Sequence, residues 1–150
     1  MCGIAGIVHL KGKPVSSDAL KRMSDAISHR GPDAEGQWTE DNVGLGHRRL
    51  SIIDLSSAGR QPMFSGDNRY VLTYNGEVYN YLDLRTELKA LGYGFSSNTD
   101  SEVVLYSLVE WGVDALLRFN GMFAFAFYDR KEKQLLLARD RYGIKPLYFS

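Results

Sequence analysis

Apolar residues recur along this chain in two rhythms, which divide it into strands and helices. Gly3 to His9 is a short, nearly continuous apolar run ending in the turn-forming Lys11-Gly12-Lys13-Pro14, which predicts a buried strand at the very start. Val43 to Leu50 and Tyr70 to Asn75 alternate or cluster in strand fashion, with a loop from Asp54 to Asp67 between them. Met122 to Tyr128 and Gln134 to Ala138 are two further runs, and the charged Asp129 to Lys133 between them reads as a hairpin. Helical spacing governs the rest. Leu20, Met23, Ala26 and Ile27 share one face of a segment that opens at Ser17-Asp18 and stops before Gly31-Pro32. Leu82 to Leu91 and Val103 to Val109 carry the same period, the second led by Thr99-Asp100-Ser101-Glu102 as a cap. Leu147 to Ser150 reads as a strand just entered. Strands outnumber helices and do not alternate regularly with them. The expected class is therefore α+β, with antiparallel sheets covered by helices rather than a doubly wound parallel sheet.

Composition narrows the function. At 150 residues and 44% hydrophobic, the chain makes one domain able to bury its core without disulfides or metals. Lys plus Arg and Asp plus Glu both total 18, so no long-range field gathers a polyanion or an anionic membrane, and neither nucleic acid nor membrane is an expected partner. Ile4 to Val8 is too short for a signal peptide or a membrane span and lacks a basic flank, which predicts a cytoplasmic protein. One cysteine excludes an internal disulfide, and His9, His29 and His47 show no ligand spacing, so no metal site is expected.

Cys2 is the first candidate for chemistry. A lone cysteine is ordinarily a small buried hydrophobe, but removal of Met1 leaves a thiol and a free α-amino group on one residue. An α-amino pKa of roughly 7.7 to 8.0 supplies a neutral base beside the nucleophile. Asn75-Gly76 between strand-like runs is a hairpin-turn signal. A turn that points the Asn75 amide and the Gly76 backbone N–H the same way would also give two donors for an oxyanion. Arg48 and Arg49 are adjacent on a predicted strand, so one should face inward, where a guanidinium calls for a carboxylate. Asp100 reads first as a helix N-cap, yet its carboxylate and that of Glu77 could equally bind an ammonium. Together these groups describe a receptor for a zwitterion with an amide or ester side chain.

Several ordered motifs then resemble the glutaminase domain of asparagine synthetases. They are Met-Cys-Gly-Ile-Ala-Gly-Ile-Val at 1 to 8, His29-Arg30-Gly31-Pro32-Asp33, the stretch from His47 to Asp54, Tyr74 to Asn80, Asp100-Ser101-Glu102, Asn120 to Ala126 and Arg139 to Tyr148. The resemblance implies the N-terminal-nucleophile hydrolase fold, with two facing antiparallel sheets between helical layers in a four-layer αββα arrangement. It further implies that Cys2 attacks glutamine, that Asn75 and Gly76 form the oxyanion hole, and that Arg49 pairs with the α-carboxylate. Glu77 and Asp100 would recognise the α-amino group, and the backbone of Leu50, Ser51, Ile52 and Ile53 would line the pocket. His29 to Asp33 and Arg139 to Tyr148 are expected to be scaffolding.

The resemblance implies as partners L-glutamine and an ATP-dependent synthetase domain, fused or separate, and it is compatible with a homodimer. No cofactor is expected for the glutaminase step. ATP and Mg2+ would belong to the synthetase domain, whose pyrophosphate loop has no counterpart here: Ser65-Gly66-Asp67 is too short, and Gly44-Leu45-Gly46 lacks the context. The family's domain also usually continues past residue 150, so the C-terminal end is expected to be truncated. Two other readings stay open: a glutaminase serving a sugar-modifying or antibiotic-forming acceptor, and a non-catalytic binding module if Met1 is retained.

Overall fold

The computed structural model describes residues 2–50 and 59–150. Its elements run β1 (Gly3–Val8), α1 (Ser17–Ala26), β2 (Ala34–Glu40), β3 (Val43–Arg49), β4 (Met63–Phe64), β5 (Tyr70–Val78), α2 (Tyr81–Ala90), α3 (Asp100–Trp111), α4 (Ala115–Arg118), β6 (Gly121–Asp129) and β7 (Gln134–Arg139). They form two antiparallel sheets, one ordered β1-β3-β2 and the other β4-β5-β6-β7. Helix α1 packs on the first sheet and α3, with α2 beside it, on the second. The expected α+β class and the four αββα layers are thus present.

Alternation along β3 explains the stacking. Gly44 and Gly46 lie under α1 and the residues leading into it, where a Cβ would collide with Val15 and Ser24 respectively. Val43 and Leu45 point the other way, into a cluster with Val71, Ala126 and Tyr128 of the second sheet. A larger core of Leu72, Tyr74, Val78, Val103, Val104, Leu105, Leu108 and Phe125 fills the space between the second sheet and its helices. Two hydrogen bonds stitch the sheets together where they face: Thr73 Oγ1 donates to the Gly46 carbonyl at 3.2 Å, and His47 Nε2 donates to the Tyr74 carbonyl at 3.1 Å. A carbonyl only accepts, so the His47 proton sits on Nε2.

Four expectations change. The first helix stops at Ala26, and Ser28–Arg30 form a separate 3-10 turn. Ala34–Glu40, which carries no strand rhythm, is the edge strand β2, half-buried along almost its whole length, so its residues show no alternation. Leu147–Ser150 is not a strand. Asn75-Gly76 is not a hairpin turn either, because β5 runs on to Val78 and pairs with β6 through Val78 opposite Gly121. The glycines make that close pairing feasible: a Cβ on Gly76 would lie 2.5 Å from the Met122 carbonyl oxygen, and one on Gly121 would strike the Glu77 carbonyl.

The cap expected before α3 is present. Thr99 is the N-cap and accepts from the Glu102 amide at 3.3 Å. The Glu102 carboxylate reaches back beyond Thr99 to the amides of Ser96 and Ser97 at 2.9 and 2.7 Å, fixing the approach to the helix. Between the sheets, beside their edge strands β1 and β7, lies an apolar groove of ≈ 800 Å³, lined by Ile4, Val8, Ile27, Leu135, Leu137 and Tyr148 among others.

Candidate active site

Cys2 sits immediately before β1, which is held along its length by β3 through pairs from Gly3 opposite Arg48 to Val8 opposite Val43. Its half-buried sulfur lies against the backbone of one residue, accepting from the Leu50 amide at 3.4 Å and facing the Leu50 carbonyl at 3.7 Å. The end of β3 therefore fixes the thiol. Leu50 meets the sulfur through its backbone, whereas Ser51, Ile52, Ile53 and Met1 lie outside the described residues.

Arg48 and Arg49 do point to opposite faces, but both faces are covered. Arg48 turns to the helix side, donating to the Ser24 carbonyl at 3.1 Å and pairing with Asp25 and Glu35. Arg49 is 8% exposed on the site side. Its guanidinium lies against Gly59, where a side chain would collide with it and with Thr99. This places Arg49 at the N-terminal end of α3, the end that also carries Asp100.

On β5, Asn75 shares the inter-sheet face with Val71 and Thr73, the face that looks toward the first sheet. The backbone supplies the second donor. Alternate N–H groups of an antiparallel strand leave on opposite sides, and those of Tyr74 and Val78 leave away from β6, to Gln61 Oε1 at 2.6 Å and Asp100 Oδ2 at 3.0 Å. The Gly76 N–H, midway between them, leaves on that same side, beyond the end of the short β4. Asn75 and Gly76 thus present donors from a strand, where the sequence had suggested a turn.

Asp100 is 5% exposed, and its Oδ2 accepts from the Tyr74 hydroxyl at 2.7 Å as well as from Val78. Burial pushes its carboxyl above the usual range, while the Tyr74 and backbone donors pull it back. Glu77 is exposed at the mouth, close enough for its charge to act on both Asp100 and Tyr74. Burial drives the Tyr74 phenol far above its ordinary value, and Asp100, Glu77 and Cys2 add to that shift. Tyr74 therefore stands behind the site, on the helix side of β5 and opposite the Asn75 face, as a neutral donor to Asp100. Sequence reasoning passed over it because an apolar strand rhythm accounts for a tyrosine; the signal was its place directly before Asn75.

The two motifs expected to be scaffolding differ in outcome. In the first, Gly31 packs flat on the Arg48-Arg49 peptide and Asp33 N–H donates to the Arg49 carbonyl at 3.0 Å, which buttresses the end of β3. In the second, Asp140 is scaffold, but Lys145 is buried within electrostatic reach of Cys2 and Glu77. Among the described residues no three His, Cys, Asp or Glu side chains converge as a metal-binding set. No helix among them is long and apolar enough to cross a membrane.

A sulfur fixed at the start of a strand, between two facing antiparallel sheets with helices outside, defines the N-terminal-nucleophile class of fold. The glutamine phosphoribosylpyrophosphate amidotransferase from Bacillus subtilis shares that fold with a TM-score of 0.79 at 20% identity, over 97% of this chain and 38% of its own. Residues 1–150 match the glutamine amidotransferase domain family, and the chain belongs to it. It is 46% identical to asparagine synthetase [glutamine-hydrolyzing] 3 of Bacillus subtilis (strain 168), over 100% of this chain and 25% of that protein. It is 39% identical to a putative asparagine synthetase of Methanocaldococcus jannaschii, over 99% of this chain and 32% of that one. An amidase, chry2, of Gibberella zeae is 41% identical over 100% of this chain and 24% of its own length. The chain thus spans about a quarter to a third of these relatives.

Proposed function

We propose that this chain hydrolyses L-glutamine to glutamate and ammonia through Cys2, and that the ammonia serves an ATP-dependent synthetase domain forming asparagine from aspartate. The observation that carries the first half is the Cys2 sulfur, clamped on the Leu50 peptide beside a strand that offers Asn75 and the outward Gly76 N–H. With Met1 removed, the α-amine of Cys2 takes the thiol proton and the sulfur attacks the glutamine side-chain carbonyl. Asn75 and Gly76 hold the resulting oxyanion. The amine returns the proton to the leaving nitrogen, ammonia departs, and a glutamyl thioester remains. Water then adds to the thioester, releasing glutamate and restoring the thiol.

Arg49 receives the α-carboxylate, and the acidic pair Glu77 and Asp100 faces the α-ammonium. Because Asp100 Oδ2 already holds Tyr74 and Val78, Glu77 carries the freer share of that recognition. The acceptor half rests on the asparagine synthetases among the similar proteins. ATP and Mg2+ belong to that half, as does any pairing of whole protomers. The 41% identity to an amidase of another name keeps a different acceptor as the second reading.

The test is a glutaminase assay on protein whose N-terminal residue has been identified by intact mass. Protein beginning at Cys2 releases glutamate and ammonia in equal amounts, whereas protein retaining Met1 is inactive. Inactivity of the processed protein, alone and with its synthetase domain, rejects the proposal. Aspartate and ATP added to the protein carrying that domain then distinguish asparagine from other products. Arg49→Lys is expected to raise KM for glutamine about tenfold with kcat within about threefold, since an ammonium cannot form the two-pronged carboxylate contact. Turnover collapsing at unchanged KM would refute that assignment.

A further inference from the structure

Asp100, the first residue of α3, is gripped by the strand beside it. Its Oδ2 accepts from the Tyr74 hydroxyl at 2.7 Å and from the Val78 amide at 3.0 Å, and the Ser101 amide donates to the same carboxylate. Tyr74 reaches it from the helix-facing side of β5, and Val78 from the strand edge beyond the last β4 pair. A carboxylate offers about four acceptor sites. These three donors leave it capacity for one more and fix its orientation.

Tyr74 is in turn held by its main chain. Its amide donates to Gln61 Oε1 at 2.6 Å, its carbonyl accepts from His47 Nε2 at 3.1 Å, and the Gln61 carboxamide continues to Ser101 Oγ at 3.3 Å. Tyr74 therefore ties β3, β5 and the start of α3 together, and only its bond to Asp100 uses the side-chain oxygen. Phenylalanine at this position would keep the main-chain bonds and the ring in the core while removing the hydroxyl contact. That contact lies beside the expected carboxylate receptor: Gly59 packs between the Arg49 guanidinium and Thr99, the N-cap adjacent to Asp100. Glu77 precedes Val78 on β5, and its negative charge acts on Asp100. Two carboxylates near each other repel, so an uncharged donor is suited to holding Asp100 in place against Glu77.

We propose that Tyr74 is a positioning residue for substrate recognition: its hydroxyl fixes the Asp100 carboxylate so that its remaining acceptor site meets the α-ammonium of glutamine. The site thereby selects an α-amino acid amide over the same amide without its amino group. This rests on the reading of Asp100 and Glu77 as the ammonium receptor.

The test measures binding and turnover separately, on proteins with Met1 removed and verified by a cooperative unfolding transition. Calorimetric titration of Cys2→Ala protein with L-glutamine and with glutaramate, which is glutamine without its α-amino group, gives the selectivity of the receptor. Adding Tyr74→Phe is expected to weaken L-glutamine binding about fivefold and glutaramate binding by less than about twofold. Tyr74→Met replaces Tyr74→Phe if the latter does not fold. With Cys2 present, the same substitution should raise KM for glutamine about fivefold with kcat within about twofold. In an Asp100→Asn background it should add less than about twofold, because the hydroxyl acts through that carboxylate. Equal weakening of both ligands overturns the proposal, since the hydroxyl would then only brace α3 against β5. Unchanged L-glutamine affinity, a loss confined to kcat, or a full additional effect in the Asp100→Asn background overturns it as well. Wild type that releases no glutamate rejects the glutaminase reading instead, and the titrations still decide the role of Tyr74. Absence of L-glutamine binding to the Cys2→Ala protein overturns the proposal together with the receptor on which it rests.

Discussion

Cys2→Ala is expected to reduce glutamate release by at least about 10⁴-fold, because no second nucleophile can form the thioester. It should leave the fold nearly intact. Among the described residues the sulfur's hydrogen-bond contacts are long ones with Leu50, at 3.4 and 3.7 Å, and it is half-buried, so replacing it with a methyl group costs less than about 1 kcal/mol. β1 stays in place because its six backbone pairs with β3 begin at Gly3, after the substituted residue. Glutamate release by the variant and its denaturant midpoint are the two measurements. Residual activity near that of wild type would remove Cys2 from the mechanism, and a large drop in midpoint would make it a structural residue. A glutamine-like electrophile should label wild type at Cys2 and leave the variant unmodified.

The second large effect is on stability. His47 is 1% exposed between the two sheets, and burial lowers its pKa from 6.5 to about 4, with Arg49 adding to the shift against the opposing Tyr74 hydrogen bond. The unfolded chain therefore takes up this proton before the folded one does. The neutral imidazole's contribution is complete above pH 6.5 and is lost as the pH falls through about 4. The loss amounts to about 2 kcal/mol at pH 5 and about 3 kcal/mol at pH 4. Asp25, Asp67, Asp129 and Asp140, whose carboxyls are held below the usual range, act lower down, while Asp100, whose carboxyl is raised, acts with the opposite sign, so His47 is isolated by comparison with a variant that keeps Asp100. Urea unfolding from pH 7 to 5 should show the slope in wild type and lack most of it in His47→Gln. A flat wild-type profile, or an equal slope in the variant, would show that His47 does not set the acid limit.

His47 also marks where sequence reading ran out. As one of three histidines without ligand spacing it carried no assignment, and nothing local says that it donates to a carbonyl 27 residues away on another sheet. Arg49 was half legible: alternation said that one of two adjacent arginines faces inward, but the helix over the far side makes Arg48 covered as well. Asn75-Gly76 carried the expected donors in an unexpected backbone. The local pair favours a turn, and nine residues of pairing with β6, eased by Gly121, override it. β2 was missed because an edge strand buried to the same middling degree on both faces has no rhythm to detect.

The sequence by itself determined the α+β class, most of the strands and helices, and Cys2 as the candidate carried into the proposal, because hydrophobic period and position in the chain are local properties. Only the tertiary structure decided that the Leu50 peptide holds the sulfur, that Tyr74 occupies one oxygen of Asp100, and that Lys145 turns inward from what read as scaffolding. Those outcomes depend on which sheet faces which and on where buried charge finds compensation. Hydrogen bonds of this kind join residues 26 and 48 positions apart, beyond the reach of any local pattern.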